Sequence, residues 1–239
     1  IGLPLNCSAD LRGSDAHELK KSGVLLDIKG LYREEEPSFD AVFLSHSHPD
    51  HYGLLPYINP EIPVYASAGS IELINLSGYF FGKAIVAPNF KPVPAGETVA
   101  IKDISVKSFL VDHSAFDASA YLVEAEGKRI FYSGDFRGHG RKSVLFRDIC
   151  KNPPKAIDYL LLEGTSLSRE AATAKTEKGI EDKLAEILGD KSGLTFVACS
   201  SQNIDRIVSI YRACVRTDSV FVIDPYTAFV LSRIGHLSP

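Results

Sequence analysis

Ser45-His46-Ser47-His48-Pro49-Asp50-His51 places three histidines and one aspartate within six residues, directly behind the apolar run Ala41-Val42-Phe43-Leu44. The apolar run reads as the end of a buried strand, so the loop is delivered at a strand terminus. Packing gives no reason to crowd imidazoles together. Neutral imidazole nitrogen and carboxylate oxygen are the donors that Zn²⁺ takes, with a position left open for water in catalytic sites. The plain alternative is a polar turn that is rich in histidine by chance. The density of ligand-type side chains favours the metal.

The bulk properties bound what can surround this loop. The chain has 239 residues, 45% apolar and 23% charged, the composition of a globular protein large enough for one big domain or one and a half smaller ones. The sequence has no 18-residue apolar run, so no membrane-spanning helix is expected. Cys7, Cys150, Cys199 and Cys214 are scattered and form no CxxC pair. That pattern suits a reducing, cytoplasmic setting rather than a disulfide scaffold or a zinc knuckle, and Cys199 and Cys214 read as small buried hydrophobes. The net charge is -4, whereas a chain that grips nucleic acid by general charge alone is usually basic. Any positive surface must therefore be local, or metals must supply it. The chain opens at Ile1 and holds no methionine or tryptophan. This suggests that residues of the natural protein are missing from the sequence, so spacings outside the tightest motifs carry less weight.

Working outward, Phe39–Leu44 is the expected strand before the loop, and Tyr52–Ile58 begins a helix despite Pro56. Ahead of it, Asp10–Lys21 reads as a loop running into a short helix, and Gly23–Asp27 as a strand or apolar loop. Strands are expected at Ile62–Ala66, within Val99–Val111, at Ala120–Glu124 and Arg129–Ser133 with a turn at Glu126-Gly127-Lys128, and at Ile157–Glu163. Ala68–Phe81 has helical apolar spacing. Beyond a boundary near Thr165 the pattern changes: helix Thr176–Leu188 closed by Gly189, strand Gly193–Cys199, helix Ser200–Arg216 with Ser201 as N-cap, strand Ser219–Asp224 and helix Tyr226–Ile234. Strands and helices alternating in this way read as parallel α/β. We therefore expect two units, residues 1–165 and 166–239.

A two-metal site needs about seven protein ligands and a bridging oxygen. His46 and His48, two apart on extended chain, suit one metal. Asp50 and His51, after the bend at Pro49, suit a second. His113, after the strand ending Leu110-Val111, and Asp135, in Ser133-Gly134-Asp135, add two further candidates at strand ends. Gly134 permits close backbone approach, and Asp135 is placed to bridge. Zinc is the default for this donor set, as two ions, with manganese or iron as alternatives.

His46-Ser47-His48-Pro49-Asp50-His51 resembles the HxHxDH signature of the metallo-β-lactamase fold superfamily. In that family the next ligands are a lone His after a strand and an Asp in a Ser/Thr-Gly-Asp turn. His113 and Ser133-Gly134-Asp135-Phe136 match both in order. The resemblance covers at least residues 39–136 and implies an αββα sandwich with the metals at one edge. Leu160-Leu161-Leu162-Glu163-Gly164-Thr165 is similar to the acidic motif that opens the β-CASP insertion of ribonuclease J-like, nucleic-acid-processing members, and the α/β stretch that follows resembles the first half of a β-CASP domain. The family also carries further histidines, one completing the second metal site and one donating a proton. His17, His139 and His236 lie in no matching context and read as surface or capping residues. The resemblance thus implies a chain that stops before the metallo-β-lactamase core resumes and that follows an absent strand ending in Asp.

The function implied is a metal-dependent ribonuclease, endo- or 5′-exonucleolytic, attacking the phosphodiester with a hydroxide generated at the metals. Asp50 would orient the nucleophile, and Glu163 would hold a ligand histidine in one tautomer. Single-stranded RNA is the expected partner, without membrane association, and a homodimer is compatible with the sequence. Arg137, Arg141 and Lys142 are candidate phosphate contacts or else an ordinary solvated turn. Two rival readings stand beside this one: a hydrolase of a small ester, thioester or lactam on the same fold, and a catalytically inactive RNA-binding scaffold.

Overall fold

The computed structural model describes residues 15–80, 89–165, 175–190 and 193–237. Cys7, the approach from Asp10 to Ser14 and Phe81 at the end of its expected helix lie outside the described residues.

The described residues build two sheets with helices against them. Helix α1 (Ala16–Lys21) leads to strand β1 (Val42–Phe43), helix α2 (Pro49–Tyr52), a 3₁₀ turn (Leu55–Tyr57), β2 (Pro63–Ala66), α3 (Ala68–Phe80) and β3 (Asn89–Pro92). Strands β1, β2 and β3 form a parallel sheet in that order, with Val42 opposite Val64 and Val64 opposite Phe90. The second sheet runs β4 (Thr98–Ile101), β5 (Ile104–Leu110), β6 (Ser119–Ala125), β7 (Lys128–Tyr132) and β8 (Tyr159–Leu161). It is antiparallel until β8, which lies parallel to β7 after the crossover through α4 (Ser143–Lys151). The expected β6–β7 hairpin forms, with Glu126 and Gly127 both at positive φ in its turn.

One apolar cluster joins α1, the loop to β1, β2 and α3 through Leu19, Leu25, Leu31, Val64, Ala66 and Ile74. A second lies between the other sheet and α4, around Val111, Ala120, Leu122 and Phe131 with Ile149 against it. The sheets meet near the histidine loop. The Tyr121 hydroxyl donates to the Leu44 carbonyl at 2.9 Å, and the Ser119 N–H donates to the Ser45 carbonyl at 2.8 Å. Phe43 packs edge-on to Tyr121. The result is the helix–sheet–sheet–helix order of an αββα sandwich, with the loop at the seam.

After residue 165 come α5 (Glu177–Gly189), α6 (Ile204–Arg216) and α7 (Pro225–Ile234). Thr176, Asn203 and Asp224 cap them, each accepting a backbone N–H of the first turn. Helix α7 packs on α3 through Leu73, Leu76, Val230 and Ile234, so a core cluster bridges the two segments.

Several expectations change. Gly193–Cys199 and Ser219–Asp224 are not strands: among the described residues neither run has a ladder partner, and Leu194, Phe196, Val220 and Val222 are more than 80% exposed. Alternating apolar residues define a face but supply no neighbouring backbone, and a strand without one leaves its N–H and C=O groups to water. For the same reason Cys199 is exposed, while Cys214 is buried on α6. The cap of α6 is Asn203 rather than Ser201, whose hydroxyl accepts from Thr227 Oγ1 at 2.7 Å. The helix expected at Tyr52–Ile58 starts earlier, at Pro49, and breaks at Gly53, because Pro56 has no N–H to continue it. The strand Phe39–Leu44 shortens to Val42–Phe43, the residues in ladder register with Val64 and Tyr65 of β2. Gly23–Asp27 is a turn and loop, and β3 and α4 had no counterpart in the sequence reading.

Candidate metal centre

Three strand ends converge to make the site. Leu44 continues β1, with its N–H bonded to the Tyr65 carbonyl, and carries the chain into Ser45, His46 and Ser47, all buried. His48 is the N-cap of α2 and Pro49 its first residue, so Asp50 and His51 fall in a single helical turn. His113 follows β5, and Asp135 follows β7.

The donor atoms cluster in two overlapping groups. His46, His48 and His113 form one, and His46, His51 and Asp135 the other; within each group the donor atoms lie within 4.8 Å of one another. His48 Nδ1 is 3.1 Å from His46 Nε2 and 3.1 Å from His113 Nε2. His51 Nε2 is 3.5 Å from the Asp135 carboxylate. Ser45 Oγ supports the far side, 3.1 Å from His46 Nδ1 and 3.5 Å from His51 Nδ1. Gly134 is at φ +56°, and a Cβ there would stand 2.8 Å from the Ser119 carbonyl oxygen and 3.0 Å from Ser45 Cβ. Glycine is what lets the Asp135 turn press against the histidine loop.

Burial sets the charge state. It is the main cause pushing His46, His48 and His113 below the ordinary imidazole range, His113 to about 4, and the neighbouring imidazoles push His46 and His113 the same way. At neutral pH these rings are therefore uncharged, the form that binds metal. The hydrogen bond from His51 holds the Asp135 carboxyl below the usual range, keeping it ionised. Neutral nitrogens and one fixed carboxylate, turned toward each other, fit a divalent cation of zinc type.

Asp50 falls outside both groups. It is exposed, with its carboxylate 3.7 Å from His51 Nε2. Glu163 is bonded to no histidine among the described residues; its carboxylate accepts the Phe136 N–H at 2.9 Å, and its own N–H donates to Ser133 Oγ at 3.2 Å. Its carboxylate thus holds the backbone just after Asp135 rather than an imidazole ring, and its main chain holds the Ser133 hydroxyl two residues before. Arg137 and Arg141 are not a solvated turn. Arg137 pairs with Asp112 and Asp205, and Arg141 with Glu181 at 2.7 Å. Lys142 lies over the Phe116 ring at 5.7 Å, and burial lowers its pKa. Asp112 carries no motif of its own, yet it is wholly buried, with its carboxylate accepting the Gly140 N–H at 2.8 Å. The available signal was an acid ending the apolar run Phe109-Leu110-Val111, immediately before His113. An apolar cavity of about 530 Å³ between α4 and the second sheet touches Asp112 and Ser133 but none of the six candidate ligands.

A family model described as a β-lactamase superfamily domain matches residues 5–181. This chain belongs to the β-lactamase superfamily. Among curated proteins it is similar to ribonuclease J of Mycobacterium tuberculosis strain H37Rv, 26% identical over 223 residues, which cover 89% of this chain and 38% of the relative. It is also similar to ribonuclease J 2 of Streptococcus pyogenes, 25% identical over 185 residues, which cover 74% of this chain and 33% of the relative. The chain thus spans about a third of the length of these curated relatives. A solved structure titled as a protein of unknown function from Enterococcus faecalis V583 superposes with a TM-score of 0.76 at 23% identity, over 94% of this chain and 61% of that one, and shares the fold. No helix among the described residues is long and apolar enough to cross a membrane.

Proposed function

We propose that this protein is a metal-dependent hydrolase that cleaves RNA phosphodiester bonds. The observation that carries the reading is the convergence of His46, His48, His51, His113 and Asp135 from three separate strand ends into two overlapping donor groups. His46, His48 and His113 would hold one ion through neutral nitrogens, and His51 and Asp135, with His46 between, would hold a second. Zinc is the natural occupant of this donor set; manganese and iron suit it less well. Bound divalent ions supply Lewis acidity and make a water nucleophilic near neutral pH.

The chain's own groups would do the rest. Asp50, exposed beside His51, is the carboxylate that accepts a hydrogen bond from the attacking water. Water oxygen bonds to phosphorus as the ester oxygen leaves. Glu163 fixes Phe136 and Ser133, and so the Asp135 turn between them. Residues 166–239 are proposed to be the first half of a β-CASP-like unit that covers the site and guides a single strand. The names of the ribonuclease J relatives and the Glu163-Gly164-Thr165 motif support RNA as substrate.

One observation favours a second reading. Arg137 and Arg141 are engaged inside the protein, which leaves fewer cations free for phosphates near the site and suits a small ester or thioester. A single assay separates the readings. Purified, zinc-loaded protein is incubated with 5′-labelled single-stranded RNA and, in parallel, with a chromogenic ester, each with and without chelator. Chelator-sensitive cleavage of RNA is expected. Ester turnover without RNA cleavage would refute the nuclease reading, and tight RNA binding with neither turnover would indicate a scaffold.

A further inference from the structure

The first turn of α6 touches both loops that carry the distal candidate ligands. Asn203, its N-cap, forms an antiparallel bridge with Ala115, two residues past His113. Asp205 accepts a hydrogen bond from Arg137 Nη2 and the Arg141 N–H at 2.9 Å, just past Asp135. Arg137 then closes the circuit. Its Nε faces the Asp112 carboxylate at 3.3 Å, and its N–H donates to the Asp112 carbonyl at 2.6 Å. Asp112 is the residue before His113, with no exposed surface, and the Arg137 and Asp205 side chains are each 12% exposed. Gly140 leaves room for this arrangement: a Cβ there would lie 2.0 Å from Asp112 Oδ1.

We propose that Asp112, Arg137 and Asp205 form a bracket through which α6 sets the spacing between His113 and Asp135, making Arg137 a positioning residue for the metal centre. The proposal rests on the metal reading above. Its physical basis is that His113 and Asp135 sit on loops beyond the ends of β5 and β7, which β6 holds apart only as far as the ladder runs, so past the sheet their spacing depends on what ties the loops together. Here that is one guanidinium held by two nearly buried carboxylates, a directional fork that a single-point cation does not reproduce. Removing it frees one loop relative to the other without touching a donor atom. Coupling is reciprocal, so metal binding should in turn stabilise the seat of α6.

The test compares wild type, Arg137→Ala and the near-isosteric Asp205→Asn with Arg233→Ala. Arg233 pairs with Glu72 at 2.9 Å and also ties the second segment to the first, through α7 and α3. Zinc affinity is read by competition with a chromophoric chelator, and hydrogen exchange of the α6 amides is followed with and without zinc. Both bracket variants should bind zinc about tenfold or more weakly, the range seen when groups supporting metal ligands are lost. They should also lose the zinc-dependent protection of α6, whereas Arg233→Ala should keep both properties. If wild type binds no zinc, the metal reading fails and the bracket with it. If wild type binds but Asp205→Asn and Arg137→Ala bind equally well, the bracket alone is overturned. Equal weakening in Arg233→Ala would also overturn it, since general loosening would then explain the effect.

Discussion

His51 Nε2 and the Asp135 carboxylate stand 3.5 Å apart, although one follows a strand of the three-stranded sheet and the other a strand of the five-stranded sheet. The contact exists because the sheets are stitched together at Leu44, Ser45, Ser119 and Tyr121 beside it. Replacing the charge alone tests its role. Asp135→Asn keeps the shape but removes the anion, so zinc affinity at neutral pH should fall by at least about tenfold while the far-ultraviolet circular dichroism stays that of wild type. Undiminished affinity would remove Asp135 from the site.

His48 is central to the first donor group, with Nδ1 3.1 Å from both His46 and His113. His48→Ala should abolish metal-dependent hydrolysis and leave the fold largely intact, because the side chain lies at a helix N-cap rather than in an apolar cluster. Full activity in that variant would refute the metal assignment.

The pH dependence of the metal-free protein follows from the buried rings. An imidazole in the unfolded chain titrates near ~6.5, whereas burial holds His113 at about 4 and lowers His46 and His48 as well. Between those values the unfolded chain binds more protons than the folded one, so stability falls as pH drops. The urea midpoint should be flat above about pH 6.5 and decline towards about pH 4, where His113 protonates in the folded protein. His113→Gln should flatten part of that decline. A midpoint unchanged between neutral pH and pH about 4 would contradict the burial of these rings.

Gly134→Ala should be costly well beyond its size. The backbone is at φ +56°, and the new methyl carbon would meet the Ser119 carbonyl oxygen at 2.8 Å. The conformation alone costs about 1–2 kcal/mol, and the contact adds to that or displaces the turn. Denaturation should show the loss in stability, and zinc titration should show a weaker site because Asp135 moves with the turn.

Glu177 tests the attachment of α5 to α6. It is 2% exposed and accepts from Arg206 Nη2 at 3.0 Å and Ser209 Oγ at 2.7 Å, while its N–H bonds the His139 carbonyl at 3.0 Å. Glu177→Ala should destabilise the protein by about 2–3 kcal/mol, the scale of a hydrogen-bonded charge. Chemical denaturation measures it; a change under about 0.5 kcal/mol would place Glu177 among ordinary surface positions.

Local chemistry was legible in the sequence wherever it depends on neighbours along the chain. The strand–loop–histidine pattern at 41–51, the β6–β7 hairpin, the helix starting near Thr176 and the glycine in Ser133-Gly134-Asp135 all rest on short-range geometry. Glu163 was marked as important from its motif, but its partner was not, because a carboxylate that accepts a backbone N–H and one that accepts an imidazole N–H look alike in sequence. Arg137 and Arg141 read as free cations because their acids, Asp205 and Glu181, lie far along the chain.

The sequence by itself determined the donor types, their order and the strand ends that carry them, since residue identity and local propensity suffice for that. Only the tertiary structure decided which donors share a group, that Asp50 stays outside both, and that α6 is tied to the loops of His113 and Asp135. Those outcomes depend on how two sheets and a later helix pack. Packing is a sum of contacts between residues remote in sequence, and it leaves no local pattern to read.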